Sequence, residues 1–290
     1  MMKRVITKFI GFYLNVLARF APKKAARIGF ALFCHPLRGK LQPFHLVFFN
    51  SAEKIDLIQN NEKVLAYKWG NGETSVLFLH GWQSHSFRWR NYIEALDKKR
   101  FTVYALDAPA HGLSEGEGMT VPSYSDAVVL LLNQIGKCDM VVGHSVGSFT
   151  ALYTFHHNPT LAPKRMIALA PPGNATEFIN VFRRTLGVSN QCMKLIIDEF
   201  VRRVNREPAY FSSEVFAKSM VFPGLIIHDD MDEETSVSNS IDIHRAWIGS
   251  KLKITHGYGH NLKSPDIVKT VIAYIEKENV IESTLNGKSI

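Results

Sequence analysis

From about residue 44 onward, apolar runs of strand length alternate with amphipathic stretches of helix length. Leu46–Phe49 and Val64–Trp69 read as antiparallel lead-in strands. Ser75–Leu79, Phe101–Leu106, Met140–Val142, Met166–Ala170, Gly224–Ile227 and Leu252–Ile254 follow as further strands. Helices are expected near 86–98, 121–135, 146–158, 238–248 and 264–278. Short, nearly continuous apolar strands separated by helices predict an α/β fold, with a mostly parallel sheet covered on both faces. One gap, 171–223, is too long for a simple crossover. Its own apolar periodicity (Phe178, Phe182 and Leu186, later Ile196, Ile197, Phe200 and Val204) predicts a helical insertion.

The first forty residues follow a different pattern. Arg4, Lys8, Gly11, Asn15 and Arg19 recur at helical spacing and form one stripe, while Ile6, Phe9, Ile10, Phe12, Tyr13, Val16, Leu17 and Phe20 fill the rest of the circumference. Pro22 closes this segment, and a second apolar stretch runs from Ala25 to Cys34. Lys8 and Asn15 interrupt the apolar region that a secretory signal would need. A helix packed on the domain is one reading; an interfacial helix attracted to anionic lipid through residues 1–35 is a second, and an export signal a third. No apolar run reaches the roughly 18 to 20 residues of a membrane-spanning helix.

Charge sharpens this division. The formal net charge is +8, but the first forty residues hold nine basic side chains, and no acidic residue precedes Glu53. The rest of the chain is therefore close to neutral, which argues against a nucleic-acid-binding face on the main body. The expected organisation is a basic amphipathic helical extension over 1–43, a main domain over 44–280 with its insertion at about 171–223, and a tail over 281–290. Cys34, Cys138 and Cys192 are too few and too scattered for a disulfide framework. They fit a reducing, cytoplasmic compartment, with peripheral membrane contact through the extension as the variant of that reading. Nothing in the sequence indicates the oligomeric state.

The strongest chemical signal is Gly143-His144-Ser145-Val146-Gly147, between a predicted strand and a predicted helix. A serine hydroxyl is a poor nucleophile unless it is exposed, fixed and paired with a base. A sharp strand-to-helix turn exposes it, and the helix start supplies backbone N–H groups for a developing oxyanion. His144 reads as a packing residue that points away from the serine.

At this point the sequence resembles the α/β-hydrolase family over roughly residues 45–280. Besides the G-x-S-x-G elbow, three features stand in the expected order. His80-Gly81-Trp82 ends a strand, Asp107 to Ser114 forms the loop after the next one, and His260 lies in Gly257-Tyr258-Gly259-His260-Asn261 after the last. The resemblance implies a catalytic triad of nucleophile Ser145, base His260 and an acid in the loop after Gly224–Ile227. His256 is the nearest competitor to His260. The family's spacing lands on Asp232, but Asp229 stands where a glycine is common and no Val-Pro follows, so Asp229 and Asp230 stay open. The backbone N–H groups of Trp82 and Val146 are the implied oxyanion hole. Asp107, His111 and Ser114 read as a capped loop that carries no chemistry.

The apolar side chains of 171–223, among them Phe178, Phe182, Met193, Phe211 and Phe216, suit an acyl or aryl group beneath a cap; packing within the cap is the other reading. Arg183, Arg184, Arg202 and Arg203 could face an acidic substrate or solvent. The expected activity is hydrolysis of a small-molecule carboxylic ester through an acyl-enzyme, with no metal or organic cofactor. The acidic cluster at 229–234 leaves a divalent cation as a minor alternative. A ligand-binding member without turnover, or a hydrolase of thioester, amide or carbon–carbon bonds, is the competing reading. A serine at the elbow argues against the aspartate-nucleophile epoxide hydrolases and dehalogenases of the same fold.

Overall fold

The structure, a computed structural model, describes residues 2–277; the tail over 281–290 lies outside the described residues. Eight strands form one sheet: β1 (Glu53–Gln59), β2 (Glu62–Trp69), β3 (Thr74–Leu79), β4 (Phe101–Leu106), β5 (Met140–His144), β6 (Arg165–Leu169), β7 (Gly224–Asp229) and β8 (Ser250–Thr255). Their spatial order is β1-β2-β4-β3-β5-β6-β7-β8. β1 pairs antiparallel with β2 and β2 with β4, and every other pairing is parallel. The central strands are buried along almost their whole length, as expected where helices cover both faces. One core layer packs Leu77, Val141, Ala151 and Phe149 on one side of the sheet; the other packs Phe78, Val142, Ile167 and Trp89.

The lead-in region departs from the expectation. Leu46–Phe49 is not a strand but part of a helix, α3 (Pro43–Asn50), which follows α1 (Met2–Phe20) and α2 (Pro22–Cys34). Pro43 occupies its first turn and Gln42 and His45 cap each other reciprocally, which favours a helix start. Leu46 and Val47 are exposed while Phe48 and Phe49 are buried, so a four-residue apolar run carried no strand periodicity. The first strand lies later, where Ile55 and Leu57 alternate with exposed positions. The helix expected near 86–98 is also shorter, a 3-10 turn at Ser86–Trp89 followed by α4 (Arg90–Ala95). Helices α5 (Val121–Ile135) and α6 (Val146–His157) fall where the periodicity put them.

Between β6 and β7 lie α7 (Ala175–Leu186), α8 (Asn190–Val204), a 3-10 turn at Pro208–Tyr210 and α9 (Ser213–Ala217). The N-terminal extension packs on this insertion. Leu14, Ala18 and Ala25 share a buried cluster with Ile179, Leu186, Met193 and Ile196. Helices α10 (Val237–Ala246) and α11 (Pro265–Glu276) complete the layers.

Candidate active site

Ser145 sits between β5 and α6 with φ of 51°, a left-handed conformation that a non-glycine residue adopts only under constraint. Its N–H donates to the Leu169 carbonyl at 2.8 Å, and its carbonyl accepts from the Phe149 N–H at 3.1 Å, so strand pairing and the first helical turn hold the bend. The turn is tight enough that a Cβ on Gly147 would lie 2.2 Å from the Leu79 carbonyl oxygen, and glycine is required there.

The structure brings Ser145, His260 and Asp232 into one hydrogen-bonded row. The His260 Nδ1–H donates to Asp232 Oδ2 at 2.7 Å, because an ionised carboxylate can only accept. The lone pair on Nε2 then faces the Ser145 hydroxyl, which donates across 3.0 Å. The Asp232 side chain is buried, and five hydrogens converge on it. The Glu234 and Thr235 N–H groups reach Oδ1, while Thr235 Oγ1–H and the His228 and His260 rings reach Oδ2. Burial pushes this carboxyl up, but the bonds from His228, His260 and the Thr235 N–H outweigh it and hold Asp232 well below the usual carboxylate range.

The two rival acids have other partners. Asp230 pairs with His256 at 2.9 Å on the surface, which also takes His256 away from the serine. Asp229 is fully buried and faces backbone. Its Oδ1 accepts from the N–H groups of Met231, Gly257 and Gly259, and its Oδ2 from the Tyr258 N–H and the Thr255 hydroxyl. Burial pushes this carboxyl up too, yet the bonds from Tyr258, Thr255, Gly259 and Met231 leave it below its ordinary value. Among the described residues no cluster of three or more His, Cys, Asp or Glu could hold a metal ion.

His80, Gly81 and Trp82 lie against the elbow. A Cβ on Gly81 would stand 3.1 Å from Ser145 Cβ. The Val146 N–H opens α6, where no intrahelical acceptor exists. Two neutral imidazoles staple this loop to the next. His80 donates from Nδ1 to the Gly81 carbonyl and accepts the Ala108 N–H on Nε2; His111 donates from Nδ1 to the Pro109 carbonyl and accepts the Gln83 N–H. Burial pushes both down to about 3. Asp107 is buried and accepts from Tyr67 Oη and from the Ser86 and Leu113 N–H groups, so the loop expected to carry no chemistry is the scaffold of the one beside the serine.

Four contributors were not anticipated. His144 does not simply point away. Its Nε2–H donates to the His260 carbonyl at 2.9 Å, under the loop that carries that ring. Arg88 donates to the next carbonyl, that of Asn261, at 2.6 Å. His228 and Thr235 complete the shell around Asp232. Their sole sequence signal was proximity to Asp232, since no motif marks residues that act through backbone carbonyls or another side chain.

The cap supplies less apolar lining than expected. Phe182, Leu186 and Met193 pack in the cluster shared with α1 and α2, and Phe200, Phe211 and Phe216 pack in the main core, so these side chains are spent on the cap's own packing. The cleft in this region, of about 770 Å³, is polar, with Glu177, Asn180, Arg183, Glu234, Ser236 and Asn239 on its walls. Ser145, His260 and Asp232 do not line it; Glu234, on its wall, is the link, with Oε2 3.7 Å from His260 Nε2. Arg202 and Arg203 clamp Glu199 and do not line it.

Residues 70–214, half of the chain, match the family described as serine aminopeptidase, S33. The chain belongs to this family of α/β-hydrolases. Over 107 residues this S33-family chain is 35% identical to a soluble epoxide hydrolase of Corynebacterium sp. (strain C12), covering 36% of this chain and 37% of that one. Over 82 residues it is 32% identical to a pimeloyl-[acyl-carrier protein] methyl ester esterase of Pectobacterium carotovorum subsp. carotovorum (strain PC1), covering 28% and 31%. The chain spans less than half the length of the curated relatives it matches. Among solved structures, a membrane phospholipase A superposes with a TM-score of 0.62 at 15% identity, over 91% of this chain and 97% of that one; the likeness is one of fold.

Proposed function

We propose that the protein is a serine hydrolase of carboxylic esters. The observation that carries this reading is the strained serine whose hydroxyl meets His260 Nε2 at 3.0 Å while His260 Nδ1 meets a buried carboxylate at 2.7 Å. Ser145 Oγ attacks the ester carbonyl carbon as its proton passes to His260 Nε2. Asp232 stabilises the imidazolium and fixes the ring's tautomer. The carbonyl oxygen takes the negative charge against the backbone N–H groups of Trp82 and Val146. Collapse expels the alkoxide, which leaves as alcohol with the proton from His260. Water, deprotonated by His260, then attacks the acyl-enzyme, and Ser145 regains its proton as the acid departs. No step draws on a metal or organic cofactor.

The polar cleft walled by Glu234 favours an ester that carries a polar group, and an apolar acyl chain would have to find its room elsewhere than among the cap phenylalanines. Thioester and amide cleavage share the same attack and differ in the leaving group. The test is turnover of a p-nitrophenyl ester series by wild type and Ser145→Ala, together with labelling by a fluorophosphonate. Turnover and labelling that both vanish in Ser145→Ala are the expected result. A wild type that neither turns over nor labels would refute the reading in favour of a binding protein.

A further inference from the structure

Helix α1 meets the cap with only part of its apolar surface, Leu14 and Ala18, and beside them Lys8, Gly11 and Asn15 of the polar stripe also reach the cap. Lys8 Nζ donates to the Arg184 carbonyl at 2.8 Å, Asn15 Nδ2 donates to the Gly187 carbonyl at 3.1 Å, and the Ser189 N–H donates to Asn15 Oδ1 at 2.7 Å. Gly11 lies in the same stripe, where a Cβ would stand 1.9 Å from the Leu186 carbonyl oxygen, so the backbone of α1 rests directly on the end of α7. Because these positions hold the helix to the cap, its aromatic positions face out. Phe20 is 83% exposed, Phe9 70% and Phe12 65%, and Ile6, Tyr13 and Val16 belong to the same open side.

We propose that this outward face of α1 is a docking surface for an anionic lipid bilayer. Exposed aromatic side chains beside basic residues suit the interface between headgroups and acyl chains. Arg19, Lys23 and Lys24 flank Phe20 and are exposed, and no acidic residue precedes Glu53. That charge also decides against a second copy as the occupant. A two-fold contact through this face would bring two identical, uniformly cationic segments together, whereas an anionic membrane neutralises them. No helix among the described residues is long and apolar enough to cross a membrane, so the contact is interfacial.

The proposal stands apart from the reading of Ser145, and one experiment keeps the two separate. Full-length protein is sedimented with vesicles of phosphatidylcholine alone or mixed in equal parts with phosphatidylglycerol, and turnover of a soluble p-nitrophenyl ester is followed in parallel. Wild type is expected to partition onto the mixed vesicles, less onto phosphatidylcholine alone, and less in high salt. The variant Phe9→Ser/Phe12→Ser/Phe20→Ser changes only exposed positions. It should keep its thermal melting and its turnover, yet lose partitioning by about tenfold or more. Wild type that binds neither vesicle, or a triple variant that binds as well as wild type, overturns the proposal. So does wild type that sediments as a dimer which the triple variant abolishes, because a second copy would then occupy the face. Absent turnover in both proteins would count against the ester reading alone.

Discussion

The two imidazoles that staple the loop beside Ser145 should make the protein sensitive to mild acid, well above the range where carboxylates titrate. His80 and His111 are buried, and burial pushes both down to about 3 from an ordinary value of 6.5. A group whose folded value is depressed contributes stability that is present above its unfolded value and is lost as pH falls toward the folded one. The window therefore runs from about pH 6.5 downward. At pH 5 the unfolded chain binds a proton at each ring and the folded chain does not, which costs about 2 kcal/mol per histidine relative to pH 7 and about 4 kcal/mol for the pair. The rings are 5.3 Å apart, so protonating both in place adds repulsion and does not relieve the cost. Urea denaturation at pH 7 and pH 5, on wild type and on His80→Asn/His111→Gln, reads this directly. The variant will be less stable at pH 7, since it loses hydrogen bonds to the Ala108 and Gln83 backbone. What matters is the difference between the two pH values, which should shrink by about 4 kcal/mol. Buried His144, also held neutral, is present in both proteins and cancels. An unchanged difference would refute the reasoning.

Asp232→Asn should leave the fold in place and lower kcat by about three to four orders of magnitude, because the amide no longer fixes the Nδ1–H tautomer of His260; kinetics on the p-nitrophenyl series check this. Asp229→Asn replaces an acceptor facing the Tyr258 N–H with a donor and removes the charge from four further bonds, which should cost about 2 to 4 kcal/mol in urea denaturation. Because those bonds hold the His260 loop, kcat should also fall at temperatures where the variant is fully folded, and its pH–rate profile should move, as a change in stability alone would not do.

Elements with strong periodicity were legible in the sequence. α5 and β4 span the residues their patterns predicted, and Ser145, His260 and Asp232, separated by up to 115 positions, lie within hydrogen-bond reach. Legibility failed where periodicity is undefined or where direction matters. Leu46–Phe49 is too short for either period to show, and capping by Gln42 and His45 decided it as a helix. The stripe from Arg4 to Arg19 was visible, but which side of α1 meets the cap was not. That depends on the Arg184, Gly187 and Ser189 backbone groups, which carry no sequence signature. The cap phenylalanines had helical spacing under either reading, and only their burial against α1, α2 and the main core assigns them to packing.

Asp232 also anchors a second row. Ser240 Oγ lies 2.6 Å from His228 Nδ1, and His228 Nε2 lies 3.2 Å from Asp232 Oδ2, which is again serine, imidazole and carboxylate in sequence. The His228 Nε2–H also donates to the Thr235 carbonyl, so this ring meets the acid through Nε2 and its serine through Nδ1, the reverse of His260. Hydrogen bonding alone does not distinguish Ser240 from Ser145. Surroundings do. Ser240 and His228 are wholly buried, and Ser240 lies in the first turn of α10, where the Ser238 and Asn239 N–H groups are already taken by Ser236. Ser145 stands at the start of α6 with the Val146 N–H unclaimed by the helix, against Gly81, and keeps 6% exposure where Ser240 has none. A fluorophosphonate should therefore label the peptide containing Ser145 and leave that of Ser240 unmodified. Label found on Ser240 would refute the claim that access and unclaimed N–H donors separate the two rows.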